Sequence, residues 1–340
     1  MEQSNSQKIL RGRTVTRLLL LVLFGVILFV AFVLSVGLGA HPLSFSEVLR
    51  AIFVETDGVN RRVIWNVRLP RALVGMLAGM CLALAGATLQ GVMRNPLAAP
   101  NTIGVNAGAG LMATICLILF PQYEYLLTPA AFIGALAATL LIYALSWKDG
   151  ISPLRMVLAG TAVSSFVSAF INAILIFYPD RVQNTLGFTM GSLAARSWGQ
   201  FRVILPYALI GLALCLLLAH RMNILMLGDE LAQNLGLHVE RCRFLFICLA
   251  ALLAASAVAV VGLLGFVGLM IPHIARLLIG SDYRYLYPAS ALLGAALVLI
   301  CDTIARIVVQ PMELPVGVVL AILGAPFFLY LLRGGLRHDD

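Results

Sequence analysis

RLPRALVGMLAGMCLALAGATLQGVMRNPLA, residues 68–98, decides how the rest of this chain is read. It opens on Arg68-Leu69-Pro70-Arg71, passes through 22 uncharged residues (72–93) and closes on Arg94-Asn95-Pro96-Leu97-Ala98. A helix of about 20 apolar residues covers the roughly 30 Å of a bilayer's hydrocarbon and satisfies its own backbone there. Two motifs rich in arginine and proline therefore mark the opposite mouths of one membrane span.

The remainder of the sequence agrees. Of 340 residues, 61% are hydrophobic and 11% charged, and the mean hydropathy is +1.00, a balance that belongs to a polytopic membrane protein. The formal charge of +8 comes almost wholly from arginine, since Lys8 and Lys148 are the two lysines among 23 basic residues. These residues sit at the ends of apolar runs instead of clustering on one solvated face, which argues against nucleic-acid binding. The six cysteines, at 81, 116, 215, 242, 248 and 301, are scattered through apolar segments without a C-x-x-C pair. They read as small buried hydrophobes, not as disulfides or metal ligands.

Charge-free gaps run 18–46, 72–93, 95–123, 125–147, 156–179, 203–220, 244–275, 285–301 and 314–332. Most have the length of one span. The gap 244–275 is too long, and Val261-Gly262-Leu263-Leu264-Gly265-Phe266-Val267-Gly268 is the expected site of its break, where three glycines permit a tight reversal. The expected total is ten spans in a single domain covering 1–340, with a tail 1–14, a bundle 15–333 and a tail 334–340. Lys8, Arg11, Arg13 and Arg17 place the N-terminus in the cytoplasm by the positive-inside rule, and an even number of spans returns the C-terminus there. The first apolar run is long and reads as an anchor, not a cleaved signal. This topology leaves Arg50, Arg61, Arg62, Arg68, Arg71, Arg181, Arg196, Arg202 and Arg306 on the outer side. Such residues either snorkel to lipid headgroups or dock an acidic partner.

Three connections carry further signals. Pro42 to Leu49 suggests a short helix capped by Ser44 or Ser46. Asn184 to Ser192 is too short and polar to span, and is expected to form a re-entrant or interfacial helix. Gly228 to Gly236 has a glycine at either end of a one-to-two-turn helix that starts on Asp229 and Glu230, as the helix dipole favours.

Catalytic chemistry finds little support. The histidines at 41, 220, 238, 273 and 338 are far apart, neither H-E-x-x-H nor G-x-S-x-G occurs, and neither lysine follows a phosphate-loop pattern. The chain is expected to be no enzyme, to bind no cofactor or metal, and to leave any ATP hydrolysis to a separate subunit. Asp302 and Arg306, four apart on the ninth span, are the strongest intramembrane ionisable pair. They form either a self-neutralising pair near the outer end or the relay of an ion-coupled carrier.

The run Gly86 to Gly104 closely resembles the signature of the FecCD-type permeases, the transmembrane subunits of ABC importers for iron-siderophore, haem and vitamin B12. Gly228–Gly236, Gly265–Arg276 and Glu313–Gly317 are similar to family motifs in the same order, and the resemblance extends from about Pro42 to Leu332. Leu263 stands where the family often has proline, and Leu320 where threonine is common. The resemblance implies an all-α type II importer permease fold, with spans two to five related to spans seven to ten by an inverted repeat. It implies two permease halves, a second copy or a paralogue, two ATPase subunits, and a periplasmic or lipid-anchored binding protein that delivers a metal chelate. Residue by residue, it gives Arg68, Arg71 and Arg306 to binding-protein docking, and Asn95, Pro96, Leu97 and Pro100 to a cytoplasmic gate, with Lys148–Pro153 as a second constriction. Gly228, Asp229, Glu230 and Gly236 fall to ATPase coupling. Small residues at Gly75, Gly79, Gly86 and Ala87 serve either close packing or pore space, and their spacing fits both.

The expected function is thus the permease subunit of an ATP-driven importer in a bacterial inner membrane. An ion-coupled secondary carrier using Asp302 and Arg306, or a membrane receptor that moves nothing, are the competing classes.

Overall fold

The computed structural model describes residues 2–39, 46–48, 50, 58–148, 153–310 and 312–335. Most of the expected helix at Pro42–Leu49, Ser44 included, the middle of the second constriction (149–152) and the C-terminal residues 336–340 lie outside the described residues. Described residues form helices joined by short turns, with no strand among them.

Ten helices carry the apolar sequence: α1 (Glu2–Gly37), α2 (Leu69–Val92), α3 (Val105–Thr114), α4 (Leu127–Ser146), α5 (Pro153–Phe177), α6 (Trp198–Leu225), α7 (Val239–Val261), α8 (Val267–Ile279), α9 (Tyr283–Ile307) and α10 (Val316–Gly335). Among the described residues, seven helices are long and apolar enough to cross a membrane, namely α1, α2, α4, α5, α6, α7 and α9. The other three, within Val105–Leu119, Val267–Ile279 and Val316–Tyr330, are apolar but shorter. Helix length alone therefore supports seven of the ten expected crossings. The third is short because the gap 95–123 spends its first ten residues on a loop and a tight 3-10 turn, Pro100–Ile103, before helix begins at Val105. At the other end of the chain, α1 starts at Glu2, so the segment expected as a tail is a helical extension of the first span.

The long gap 244–275 breaks where its glycines allow. Helix α7 ends at Val261, Gly262 takes φ +82°, and Phe266 adopts a left-handed φ of +65° before α8 starts at Val267. A phenylalanine in that region is strained. It is held because its ring lies against Gly324 of α10, where any side chain would overlap it. The short polar helix expected near residue 184 forms at Gln183–Met190 and lies against the break: Leu263 N donates to Phe188 O (2.8 Å) and Ser192 N to Val261 O (2.9 Å).

Helix α2 is the centre of the bundle. It is buried along most of its length and packs against α6, α7, α8 and α9. The small residues in it serve packing. A methyl group on Gly79 would overlap the backbone of Gly294 in α9, one on Gly86 would overlap Gly268 in α8, and Ala87 is fully buried. Lipid is as apolar as leucine, so helices in a bilayer are held by this close backbone approach and not by a hydrophobic force. By contrast, only 6% of the apolar stretch of α5 is fully buried, and one side of that helix packs on α3 and α4 while the other is exposed. Cys81, Cys116, Cys215, Cys242 and Cys301 are buried as free thiols, in keeping with their expected role as small core residues.

Candidate functional site

Helix α2 carries a site at each end, because it is continuous from Leu69 to Val92 and so holds Arg68 and Asn95 apart by the length of a span.

At the Arg68 end, a π-helical turn (Ile64–Arg68) leads into α2, and Arg68 at its end and Arg71 in the first turn of α2 are both buried. Arg68 is 6% exposed, Arg71 7%, Arg306 5% and Asp302 1%. Arg68 Nη1 donates to the carbonyls of Val36 (3.0 Å) and Gly37 (2.8 Å), tying the C-terminal end of α1 to α2. Arg71 grips Asp302 with Nη2 (2.9 Å) and Nε (3.1 Å), and reaches Glu313 Oε2 with Nη1 (2.7 Å). Arg306 Nε lies 3.2 Å from Asp302 Oδ2, while Nη2 donates to Ser35 O (2.8 Å) and Nη1 to Leu38 O (3.1 Å).

Of the three arginines assigned to docking, Arg71 and Arg306 are brought together on Asp302 as a buried network, while Arg68 is buried against the end of α1. The expected Asp302–Arg306 pair forms and is larger than expected, because it recruits Arg71 across the helix interface. Asp302, the residue a proton-coupled carrier would have to titrate, is gripped by two guanidiniums. Beside the network, burial and the charge of Arg71 push the Arg196 guanidinium below its ordinary range, with Glu124 opposing them.

At the other end, the chain leaves α2 through Arg94 at φ +47° and folds back on itself. Asn95 Oδ1 accepts from Leu97 N (2.9 Å), and Ala98 N donates to Asn95 O (3.1 Å). This is an Asx turn, the local bond that competes with helix. Pro96 is exposed, Leu97 is half-buried, and Pro100 is buried at the start of the Pro100–Ile103 turn. Asn95, Pro96, Leu97 and Pro100 therefore lie in one compact connection, as two prolines in a row of turns require.

The glycine-bounded segment forms the helix Asp229–Asn234, with Gly228 at φ +106° and Gly236 at φ +81°. Only glycine adopts such angles without strain, which explains why the helix stops at both ends. Asp229 Oδ1 accepts from Arg94 Nη2 (3.0 Å) and from Arg243 Nη2 (3.0 Å). Arg243, buried in the first turn of α7, also donates to Glu240 (2.7 Å). Glu230 points to solvent. Nearby, Asp282 caps α9 through Arg284 N (3.1 Å) and accepts from Asn223 of α6 (2.7 Å). Burial opposes ionisation, but bonds from Arg284 and Asn223 hold its carboxyl down at about 2.

Three participants were missed in the sequence. Arg94 and Glu313 stand out in the sequence only as members of motifs, and Arg243 only as the charge that precedes the gap 244–275. The separations of 135 residues for Arg94–Asp229 and 242 for Arg71–Glu313 leave no local pattern to find.

Comparison with known proteins accords with this geometry. A model of the FecCD transport family matches residues 27–334. The chain is 41% identical over 323 residues to the Fe(3+)-citrate import system permease protein YfmE of Bacillus subtilis (strain 168), covering 95% of this chain and 97% of that one. It is 38% identical over 325 residues to YfmD, the Fe(3+)-citrate import system permease protein of the same strain, covering 96% and 97%. Among solved structures, an inward-facing putative metal-chelate type ABC transporter superposes with a TM-score of 0.83 at 32% identity, over 92% of this chain and 98% of that one. With a helical bundle superposing on that transporter and family motifs at both ends of its central helix, this chain belongs to the FecCD transport family.

Proposed function

We propose that this chain is the membrane-spanning permease of an ATP-driven importer that carries an iron chelate of the siderophore or citrate kind across the inner membrane. A separate ATPase pair powers it, and an extracytoplasmic binding protein supplies its cargo. Asp229 is the observation that carries this reading. It joins the glycine-bounded helix to Arg94, the residue that opens the Asn95–Pro100 connection, and to Arg243 at the foot of α7. A displacement of that helix by an ATPase subunit is thereby handed to the loop between α2 and α3 and to α7 together, which is the requirement for a gate driven from below.

The N- and C-termini and the 228–236 helix then face the cytoplasm, and the Arg68 end faces outward. Arg68, Arg71 and Arg306 give three guanidiniums against the two carboxylates of Asp302 and Glu313, an outward field of one net positive charge. Such a field steers an acidic binding protein toward the pore mouth even though the side chains are buried. Both relatives named above carry the name of an Fe(3+)-citrate import system permease protein in the same strain, so pairing with a paralogue is as available to this chain as pairing with a second copy.

Reconstitution tests the proposal. Vesicles holding this chain alone are expected to move no ferric chelate, and uptake is expected only when the ATPase and the loaded binding protein are added with ATP. Uptake by the lone chain under a proton gradient would overturn it.

A further inference from the structure

Two hollows in the wall of the bundle are consecutive. An apolar groove of about 360 Å³ runs between α4, α6 and α7, lined by Leu140, Tyr143, Leu214, Phe244 and Cys248 among others. A second hollow of about 340 Å³ is lined by Arg221, Gly236, His238, Arg241 and Cys242 among others, so that its foot adjoins the end of the glycine-bounded segment. Leu245 lines both, so they form one passage with a cationic foot and an apolar shaft.

Helical register makes the passage continuous. On α7, Arg241, Leu245, Cys248 and Leu252 follow at i, i+4, i+7 and i+11, a single face. On α6, Arg221 lies seven residues after Leu214 on the same face. From Arg241 to Leu252 the stripe rises about 16 Å, close to the depth of one leaflet's hydrocarbon. Arg221 and Arg241 are exposed, and neither forms an ion pair with a carboxylate among the described residues. The nearest acids are engaged elsewhere: Glu240 with Arg243, and Asp229 with Arg94 and Arg243.

We propose that this passage holds one anionic phospholipid of the inner leaflet, its phosphate between Arg221 and Arg241 and an acyl chain along the α6–α7 groove. The placement in the inner leaflet rests on the topology given above. Charge complementarity selects the occupant: a zwitterionic lipid would fill the shaft equally well and offer the same phosphate, but its ammonium group would sit beside two guanidiniums, whereas a headgroup with net negative charge is attracted by such residues at the cytoplasmic surface.

Native mass spectrometry of the purified full-length permease, titrated with dioleoyl phosphatidylglycerol or dioleoyl phosphatidylcholine, tests this without ATP or cargo. The wild type is expected to retain phosphatidylglycerol preferentially. At roughly fivefold for each surface arginine, the double variant Arg221→Gln/Arg241→Gln should bind it about twenty-five-fold more weakly. Arg221→Lys/Arg241→Lys should keep most of the affinity and so report on folding. Cys248→Trp fills the shaft without altering charge, and should also displace the lipid.

Equal retention of the two lipids, or no loss in the glutamine variant, overturns the proposal. So does full competition by inorganic phosphate with Cys248→Trp silent, because the ligand is then a free anion. Loss of ATPase association with lipid retention unchanged overturns it as well, since the arginines then face that subunit. Failure of the importer reading would be seen separately, as absent uptake in vesicles whose permease retains its lipid.

Discussion

Replacing Asp302 with alanine should cost about 3–5 kcal/mol, because it leaves two buried guanidiniums without their shared counter-charge. The structure sets this figure above that of an ordinary ion pair. Asp302 is 1% exposed, and it receives Arg71 through Nη2 and Nε and Arg306 through Nε at 3.2 Å. Arg71 would keep Glu313 and Arg306 would keep the carbonyls of Ser35 and Leu38, so neither is stranded completely. Asp302→Asn preserves shape and one acceptor while removing charge, and should cost roughly 2 kcal/mol, within the range for a hydrogen bond to a charged group. The assay is unfolding in mixed micelles followed by tryptophan fluorescence. The rings of Trp65 and Trp198 lie 5.7 Å apart at a tilt of 45°, and Trp198 Nε1 donates to Trp65 O (2.9 Å), so they report on the Arg68 end of the bundle. Combining Asp302→Ala with Arg306→Met should return part of the loss, a coupling of about 1–3 kcal/mol. A cost below about 1 kcal/mol for Asp302→Ala, the value of a solvated surface pair, would show that the network holds nothing together.

Arg94→Gln removes a half-exposed contact and should change stability by no more than about 1 kcal/mol, yet it should abolish substrate-stimulated ATP hydrolysis in the reconstituted importer while binding-protein docking persists; full stimulation would remove Arg94 from the coupling route. Arg68→Gln should weaken binding-protein association more at about 10 mM salt than at about 1 M, where the screening length is near 3 Å, as read by surface-immobilised titration. Gly86→Val should prevent assembly of α2 against α8, because its side chain would meet the Gly268 backbone, and gel filtration in detergent should show aggregation. Asp282, with its carboxyl lowered from 3.8 to about 2, contributes stability that is complete above about pH 4 and is lost as pH falls toward 2; Asp282→Asn should flatten the unfolding midpoint between pH 5 and pH 2.5.

What the sequence made legible followed from local physics. Charge-free length located the apolar helices, and three glycines between Val261 and Gly268 located the break between α7 and α8. The glycines at 228 and 236 bounded a helix because each must adopt a positive φ there. Length failed at the third gap for an equally local reason: Asn95 and Pro100 spend ten residues in turns, so a run counted as one span contains only a short helix. What stayed hidden is non-local. Nothing near Arg71 announces Asp302, and nothing near Arg94 announces Asp229, because those pairings are set by which helices pack on α2. That packing is itself written in small residues, Gly79 against Gly294 and Gly86 against Gly268, whose spacing was read but whose partners were not. The same helix therefore explains both ends of the site. By bringing α8 and α9 to backbone contact, α2 delivers Asp302 to Arg71 at one mouth, and at the other it ends on Arg94 within reach of Asp229.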